Sequence, residues 1–512
     1  MSNSDSPHEQ LKARLRENAV LSSVAGTIGW DEQTQLPHAA TELRADQSSM
    51  MATLVHERNT SAELGDLIAA AENHVKEQNL PADSDEATTA REARRDFDRA
   101  TKLPADLVAA IARAETVGHA AWVEARKSED FPAFAPHLTT MLDLKRKEAQ
   151  LVGEGKGELY DALLDDYEPG ETAADLRDVF GQLRDALVEL VAKIGDSGKI
   201  PPRDLLTREY PTVNQNELSR RAATACGFDF DAGRLDIAVH PFCTGLGPGD
   251  TRMTTRFDER DLGNSFFSTL HETGHALYEQ NLPKAEHFGT GCGEAISLGI
   301  HESQSRLWEN QVGRGAAFWQ HFWPVAQDLF PGALGEAKVD DFLFAVNDVR
   351  PSFIRTESDE FTYNLHILMR FELEQALLRE DLTPSDLPGA WNEKMQTYLG
   401  ITPEKPSLGC LQDVHWSAGL VGYFPTYTLG NPYSAQLYAK ATDDLGGEHE
   451  RDAMFARGEF RPLLDWLVEH VHQHGRRYSA RELIRRITGE DLQVEPLLAH
   501  LRGKASEFYG VS

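Results

Sequence analysis

The sequence predicts a mainly α-helical fold, and three observations support this prediction. Apolar residues recur three and four positions apart over long segments, and helix start and stop residues frame several of these segments. Strand-like alternation, in contrast, is confined to one short region. A chain of 512 residues is long enough for a large core and for more than one lobe.

The clearest helix lies in the segment 171–195. Thr172 can cap its start, with Asp175 three residues later, and Gly195 stands at its end. Its apolar stripe consists of Leu176, Val179, Phe180, Leu183, Leu187, Val191 and Ile194.

Two further helices are predicted towards the C-terminus. One lies between Pro388 and Gly400. The other begins after Ser479, which forms a capping box with Glu482, and stops at Gly489.

Strand signals are limited to residues 234–242 and 251–258, which flank a Gly-rich stretch at 243–250 that we expect to be a loop. Their alternation and β-branched residues predict a small antiparallel sheet. The Gly and Pro residues of 197–204 break helices and suggest a boundary there. We therefore expect a helical N-terminal lobe at 1–200 and a catalytic lobe at 201–512, joined in one integrated domain.

The charge balance disfavours some classes of partner, and the cysteine content indicates a compartment. With 82 acidic and 51 basic residues, the formal net charge is -31, so we expect no nucleic acid and no anionic membrane as a partner. No run of about 18 apolar residues and no signal-peptide core occurs, which predicts no membrane span. The four cysteines form no CxxC pair and fit a reducing cytoplasm.

The segment SFFSTLHETGHALYEQ (265–280) carries the strongest chemical signal. On a helix, His271 and His275 lie on one face about 6 Å apart and can bind one metal ion. Zinc lowers the pKa of a bound water to roughly 7, and Glu272 beside it can take the proton. The alternative is an ordinary amphipathic helix that happens to contain two histidines, because a short motif also occurs by chance.

The surrounding residues are consistent with a helix. Asn264 or Ser265 can cap its start, and Pro283 lies beyond its end. Gly274 costs roughly 1 kcal/mol of helix propensity relative to Ala. A close neighbour on that face of the helix would explain this glycine.

A third metal ligand is needed. The extended zinc motif that uses a third histidine is excluded, because Tyr278 and Asn281 occupy its Gly and His positions. A carboxylate from a later helix remains, and the candidates are Glu294 and Glu302, eight residues apart on nearly the same helix face. One would bind the metal and the other would lie next to it, while His301 is a third possibility. Spacing does not choose between them.

Several short motifs then appear in one order along the chain. They are HPF (240–242), DTRMT (250–254), HETGH (271–275), HESQ (301–304), IRTESD (354–359) and GCLQDVHW (409–416), with GWDEQTQLP (29–37) near the start. In these motifs the chain resembles the carboxypeptidase Taq family of zinc metallocarboxypeptidases over essentially its whole length.

The resemblance carries several expectations. It implies Glu302 as the third ligand of one zinc ion, which cobalt or manganese can replace. It implies removal of single residues from peptides with a free C-terminus. It also implies a two-lobed helical fold with a deep active-site groove, a small sheet beside the metal, and a homodimer.

The remaining site residues are assigned by chemistry. A terminal carboxylate suits the planar fork of an arginine, for which Arg355 is the first candidate and Arg252 the second. Both can instead form structural ion pairs. The developing oxyanion needs a donor, for which the candidates are Tyr423, His240 and His415.

Two acids are candidates for orienting a ligand histidine. Asp359 or Asp413 can accept the other ring N–H of such a histidine, with helix capping or ion pairing as the alternative role. His470 and His474 also stand four apart, but no acid follows the first of them. We interpret that stretch as the polar end of a helix closed by Gly475.

Two rival functions remain at this point. One is a related zinc oligopeptidase that cuts internally or releases dipeptides. The other is a peptide-binding protein with an inactive site, which the presence of Glu272 argues against.

Overall fold

A computed structural model describes residues 6–511, and its architecture is mainly helical, as predicted. Nine helices precede the sheet in the described part of the chain: α1 (Pro7–Thr34), α2 (Thr41–Asn59), α3 (Ala62–Gln78), α4 (Asp85–Lys102), α5 (Ala105–Ser128), α6 (Phe131–Gly153), α7 (Leu159–Leu164), α8 (Ala173–Asp196) and α9 (Thr212–Cys226).

Thirteen helices follow the sheet within the same described range. They are α10 (Leu262–Asn281), α11 (Lys284–His287), α12 (Leu298–Arg306), α13 (Ala316–Leu329), α14 (Pro331–Leu334), α15 (Val339–Val346), α16 (Thr362–Leu378), α17 (Leu387–Leu399), α18 (Pro425–Asp444), α19 (Glu448–Ala456), α20 (Arg461–His470), α21 (Ala480–Thr488) and α22 (Glu495–Lys504).

Two predicted helix starts and one predicted helix end are confirmed. Thr172 accepts a hydrogen bond from the Asp175 N–H (3.2 Å) at the start of α8, and Ser479 accepts one from the Glu482 N–H (3.2 Å) at the start of α21. Gly489 ends α21 in the left-handed conformation with φ 83°. These ends are decided by adjacent residues, which is why the sequence predicts them well.

The sheet is small, as predicted, but it is mixed rather than antiparallel. Its strands are β1 (Gly233–Ile237), β2 (Cys243–Gly247) and β3 (Asp250–Thr255), in the order β1-β3-β2. The Gly-rich stretch expected to be a loop itself forms β2, which pairs antiparallel with β3 through a tight turn. β1 joins the opposite edge of β3 and runs parallel to it. The prediction of an antiparallel sheet missed the parallel pair because β2 stands between β1 and β3 in the sequence. Pairing of strands that are not consecutive is not a local property.

The sheet packs against α10, the helix that carries the HETGH motif. The Thr269 hydroxyl lies 3.2 Å from the Thr255 hydroxyl, and the Thr273 hydroxyl lies 3.7 Å from the Met253 sulfur. Alternate residues of β3 therefore line one side of this helix.

Two hydrophobic cores are distinct. The large core runs from α5 to the C-terminal helix and includes the buried faces of α8, α10, α12, α16 and α18. A smaller core joins α1, α3 and α4 through Leu11, Leu64, Ile68, Ala71, Ala90 and Ala93. The helix α10 lies in the large core.

The helix α12 lies between α10 and α18, and one glycine on each of these two helices allows α12 to pack closely against them. A methyl group on Gly274 of α10 would overlap the Gln304 carbonyl oxygen, and one on Gly430 of α18 would overlap the Glu302 side chain. The close neighbour expected at Gly274 is therefore present.

Between residues 6 and 511, no helix combines the length and the apolar composition that a membrane crossing requires.

Candidate metal centre

The helix α10 begins earlier than expected. Its cap is Asp261, whose carboxylate accepts the Asn264 N–H (3.0 Å), and neither Asn264 nor Ser265 caps it. Ser265 lies inside the helix, and its buried hydroxyl bonds to the Leu262 carbonyl (3.2 Å). Three cap-type residues stand close together in the sequence, so local pattern alone could not choose among them.

Three side chains converge between α10 and α12. The Glu302 Oε2 atom lies 3.5 Å from His271 Nε2 and 3.4 Å from His275 Nε2. One ligand atom from each residue lies within 4.8 Å of the other two, and residues 6–511 contain no other such group of three His, Cys, Asp or Glu residues.

The opposite ring nitrogens of the two histidines are occupied by acceptors. His271 Nδ1 lies 3.0 Å from Glu309 Oε2, and His275 Nδ1 lies 3.0 Å from the His301 carbonyl oxygen. Each acceptor therefore favours the proton on Nδ1 and leaves the Nε2 lone pair directed towards Glu302. Two imidazoles and one carboxylate in this orientation fit a divalent metal ion.

The protonation states of the donors also suit a metal. Burial lowers the pKa of His275 to about 3, which keeps this imidazole neutral. Burial also disfavours a charge on His271, but the carboxylates of Glu302 and Glu309 outweigh it and raise the pKa of His271. Acid will weaken metal binding, because a protonated imidazole has no free lone pair for a metal ion.

Glu302 is held as a carboxylate. Its Oε1 accepts from the Arg306 Nε atom at 2.8 Å and its Oε2 accepts from the Ser305 hydroxyl at 3.0 Å. Burial would raise the pKa of Glu302, but the charges of Arg306 and His271 hold it well below its usual range.

Glu272 follows the first histidine and is 5% exposed. Burial raises the pKa of its carboxyl to about 7. A carboxyl that titrates near neutral pH can both accept and return a proton.

Glu294 and His301, the other two candidate ligands, do not belong to the group formed by His271, His275 and Glu302. Glu294 follows the short 3₁₀ turn Gly291–Gly293 in an extended conformation, so it does not share a helix with Glu302. The expectation of one shared helix face fails because α12 begins only at Leu298. His301 Nε2 lies 2.9 Å from Glu279 Oε1, and its carbonyl supports His275.

Asp359 and Asp413, the acids predicted to orient a ligand histidine, bond to other groups. Asp359 caps the start of α16, where it accepts the N–H groups of Phe361 (2.9 Å) and Thr362 (3.0 Å). Asp413 accepts from Arg355 at 3.1 Å and from Arg370 at 2.6 Å. Capping and ion pairing, the alternative roles, account for both side chains.

Arg355 lies in a buried cluster of aromatic and charged side chains. Its Nη1 donates to the Tyr363 hydroxyl at 3.1 Å, and its guanidinium carbon lies 5.0 Å from the Tyr427 ring centre. Tyr363 also stacks under Arg306 at 4.4 Å, which connects this cluster to Glu302.

Tyr423 and His415 belong to the same cluster. The Tyr423 ring packs edge-on against Tyr427 and Tyr167, with centroids 5.2 and 5.0 Å apart. His415 Nε2 lies 3.4 Å from the Tyr427 hydroxyl, and burial lowers the pKa of His415 to about 4.

Arg252 and His240 are not part of this cluster. Arg252 pairs with Asp250 (2.7 Å) and stacks on Trp30 at 4.5 Å. His240 is exposed and follows the end of β1. The contacts of Arg252 match the structural ion pair that the sequence left open as its alternative role.

Sequence reasoning missed Glu309 and Arg306. The only local signal is that Glu309 stands seven residues after Glu302, a spacing that repeats a helix face. That signal is too common in helices to single out one glutamate.

Comparisons with known proteins agree with this geometry. Residues 10–505 match the family model described as Carboxypeptidase Taq (M32) metallopeptidase. Thermostable carboxypeptidase 1 of Thermus thermophilus is 45% identical, and the match covers 99% of this chain and 99% of that protein. Carboxypeptidase 1 of Bacillus subtilis is 40% identical with 97% of each chain covered.

A crystal structure is similarly close. The M32 carboxypeptidase from Deinococcus radiodurans R1 superposes with a TM-score of 0.94 at 40% identity, and the match covers 99% of this chain and 100% of that one.

Proposed function

The chain belongs to the carboxypeptidase Taq (M32) metallopeptidase family and is a metallocarboxypeptidase, and we propose that it uses one zinc ion to release single residues from free peptide C-termini. The observation that carries the proposal is the convergence of His271 Nε2, His275 Nε2 and Glu302 Oε2, with Glu272 next to the first ligand. Two imidazoles and a carboxylate are the donor set that zinc peptidases use, and cobalt or manganese would also suit it.

Glu272 is the proposed general base. A zinc ion held by the three ligands would polarise the scissile carbonyl and lower the pKa of a water molecule to about 7. Glu272 takes one proton from the attacking water and returns it to the leaving amine as the peptide C–N bond breaks. Its burial, at 5% exposure, supports this role because it raises the pKa of the carboxyl to about 7.

Arg355 is the proposed anchor of the substrate's terminal carboxylate. A guanidinium has five N–H groups, and Asp413 and Tyr363 use only part of them. The ion pair with Asp413 fixes the plane of the guanidinium, so it can present its remaining N–H groups in a set direction. Arg252 and His240 stay predictions as substrate contacts.

Tyr423 and His415 are the proposed donors to the carbonyl oxygen as it gains negative charge. Both lie in the aromatic cluster that also contacts Arg355. With its pKa lowered to about 4, His415 is neutral at pH 7 and carries one ring N–H.

We further propose that the enzyme is a cytoplasmic homodimer that binds no nucleic acid. The four free cysteines support a reducing compartment, and the net charge of -31 disfavours a polyanionic partner. Light scattering after gel filtration measures the assembly, and a mass near 57.0 kDa, that of one chain, would contradict the homodimer.

The proposed activity is tested with one peptide made in two forms, one with a free C-terminus and one with an amide. Mass spectrometry should show a ladder of single-residue losses from the free form and little product from the amide. A chelator should stop the ladder and zinc should restore it. Internal fragments or dipeptides from both forms would contradict the carboxypeptidase assignment.

Glu272→Gln tests the mechanism. We expect bound metal to remain and turnover to fall by at least about 100-fold, as for loss of a general base. Glu286→Gln is the matched control, since the Glu286 side chain is 84% exposed. Activity of Glu272→Gln equal to that of this control would contradict the assigned base.

A further inference from the structure

The helix that supplies Glu302 does not end regularly. After Arg306 it passes directly into a π-helix, Leu307–Val312, which is continued by the hydrogen bond from the Gly313 N–H to the Trp308 carbonyl (3.0 Å). One-turn π-helices inside or after α-helices often occur at functional sites. Here the π-helix carries Glu309.

Glu309 is fixed from three directions. Its Oε2 atom lies 3.0 Å from His271 Nδ1 and 3.3 Å from Arg306 Nη1, and its Oε1 atom lies 3.2 Å from Arg314 Nη2. The Glu309 side chain is 12% exposed, so solvent screens these contacts only weakly. Arg306 also donates to Glu302 at 2.8 Å, so a single arginine connects the two glutamates.

The π-helix has its own support from the C-terminus. Lys504 of α22 donates to the Asn310 carbonyl at 3.4 Å and pairs with Glu360 at 2.6 Å. Lys504 is 9% exposed, so the contact lies inside the protein. This carbonyl belongs to the residue directly after Glu309, so the backbone that carries Glu309 is anchored as well as its side chain.

We propose that Glu309 is a positioning residue: its carboxylate holds the His271 ring so that the Nε2 lone pair of that ring faces the metal ion. The inference rests on the proposed metal site, since it assigns Glu309 a role through His271. A hydrogen-bonded carboxylate raises the basicity of a ligand imidazole and fixes its tautomer, and its loss typically weakens metal affinity by about 10- to 100-fold.

The test compares zinc and cobalt dissociation constants, measured by competition with a chromophoric chelator. Glu309→Gln removes the charge but keeps the shape, and should weaken zinc binding by about 10- to 100-fold. The visible absorption of the cobalt-loaded protein should change in position or intensity, because the ligand field at His271 changes. Glu309→Asp, which keeps the charge but shortens the side chain, should weaken binding as well and carries the test if Glu309→Gln does not fold.

Glu148→Gln is the matched control. Glu148 is a buried carboxylate of α6 that pairs with Lys145 (2.5 Å), and it contacts no proposed ligand. Its zinc dissociation constant should stay within about threefold of the wild-type value.

Each outcome decides the inference. It is overturned if Glu309→Gln and Glu309→Asp bind zinc as tightly as the wild type with an unchanged cobalt spectrum. It is also overturned if Glu148→Gln loses as much affinity as they do, because the loss would then be one of general structure. A wild type that binds no divalent metal would instead refute the proposed function.

Discussion

At the scale of single residues, two glycines decide whether the proposed metal ligands can meet. Gly274 and Gly430 allow α12 to lie against α10 on one side and α18 on the other. Either glycine weakens its helix by roughly 1 kcal/mol relative to Ala. Close helix contact at the candidate metal site offsets this local loss, which explains why glycines occupy positions where helix propensity disfavours them.

Gly430→Ala should disturb the metal site directly. The new methyl group overlaps the Glu302 side chain, so we expect zinc affinity to fall by at least about tenfold, as for other disturbances next to a ligand. Overpacking should also lower the free energy of unfolding by about 1–3 kcal/mol. Metal content after dialysis and thermal unfolding measure the two effects.

Gly181→Ala in α8 is the control for helix propensity. A methyl group at Gly181 meets no atom within 4 Å, so this variant should be unchanged or slightly more stable and should bind zinc normally. If the two alanine variants had equal zinc affinity and equal stability, Gly430 would not be needed for the close packing of α12 against α18.

Arg355→Met tests whether Arg355 binds the substrate's terminal carboxylate rather than taking part in the chemical step. Without the guanidinium, kcat/KM for a free C-terminus should fall by about 30-fold or more, the cost of a lost charged hydrogen bond of about 2 kcal/mol. Activity on the amidated peptide, which offers no carboxylate, should change far less. A variant that still prefers the free C-terminus as strongly as the wild type would show that another residue binds the carboxylate.

At the scale of elements, the start of α12 is capped by a buried acid that is distant in the sequence. Glu168, between α7 and α8, is fully buried and accepts the Gly299 N–H in the first turn of α12. Ser297 supplies the local cap by accepting the Ile300 N–H at 3.1 Å. Burial raises the pKa of Glu168 to about 8.

This buried acid should make stability depend on pH. The unfolded chain releases the Glu168 proton near pH 4.5, whereas the folded chain keeps it up to about pH 8. Stability should therefore fall as pH rises between these values, by up to about 1.4 kcal/mol per pH unit from this group. Glu168→Gln keeps a hydrogen-bond acceptor for the Gly299 N–H but has no titratable proton. Its Tm should therefore rise relative to the wild type as pH increases from 5 to about 8.5.

Glu393→Gln, at an exposed position of α17, is the comparison variant. Its Tm should follow the wild type at every pH. If Glu168→Gln also follows the wild type across the range, the acid is ionised in the folded protein and the pH effect has another source.

At the scale of the whole molecule, the metal would link two helices within the large core. His271 and His275 come from α10 and Glu302 comes from α12. Bound zinc at 100 times its dissociation constant would stabilise the fold by about 2.7 kcal/mol.

Metal removal should therefore have a local signature. Chelation should lower Tm by several degrees. In hydrogen exchange, it should reduce protection in α10 and α12 and leave α3, which belongs to the small core, unchanged. Glu302→Ala should show no response to chelator, and a uniform loss of protection across both cores would contradict the proposed link.

The helical class, the caps at Thr172 and Ser479, and the HETGH helix could all be predicted from local sequence. Each of these depends on residues within a few positions of one another. The ordered motifs also indicated the family, because each motif is a short contiguous stretch.

The contacts between distant groups, in contrast, follow from the packing of the folded chain. This packing separated Glu294 from the helix of Glu302, paired Asp413 with Arg370, and paired His271 with Glu309. It also buried His472 against Gln304 (2.9 Å), in a stretch that the sequence suggested was a polar helix end. Such contacts join segments tens to hundreds of residues apart, and their partners follow from the packing of α10, α12 and α18 rather than from any local pattern.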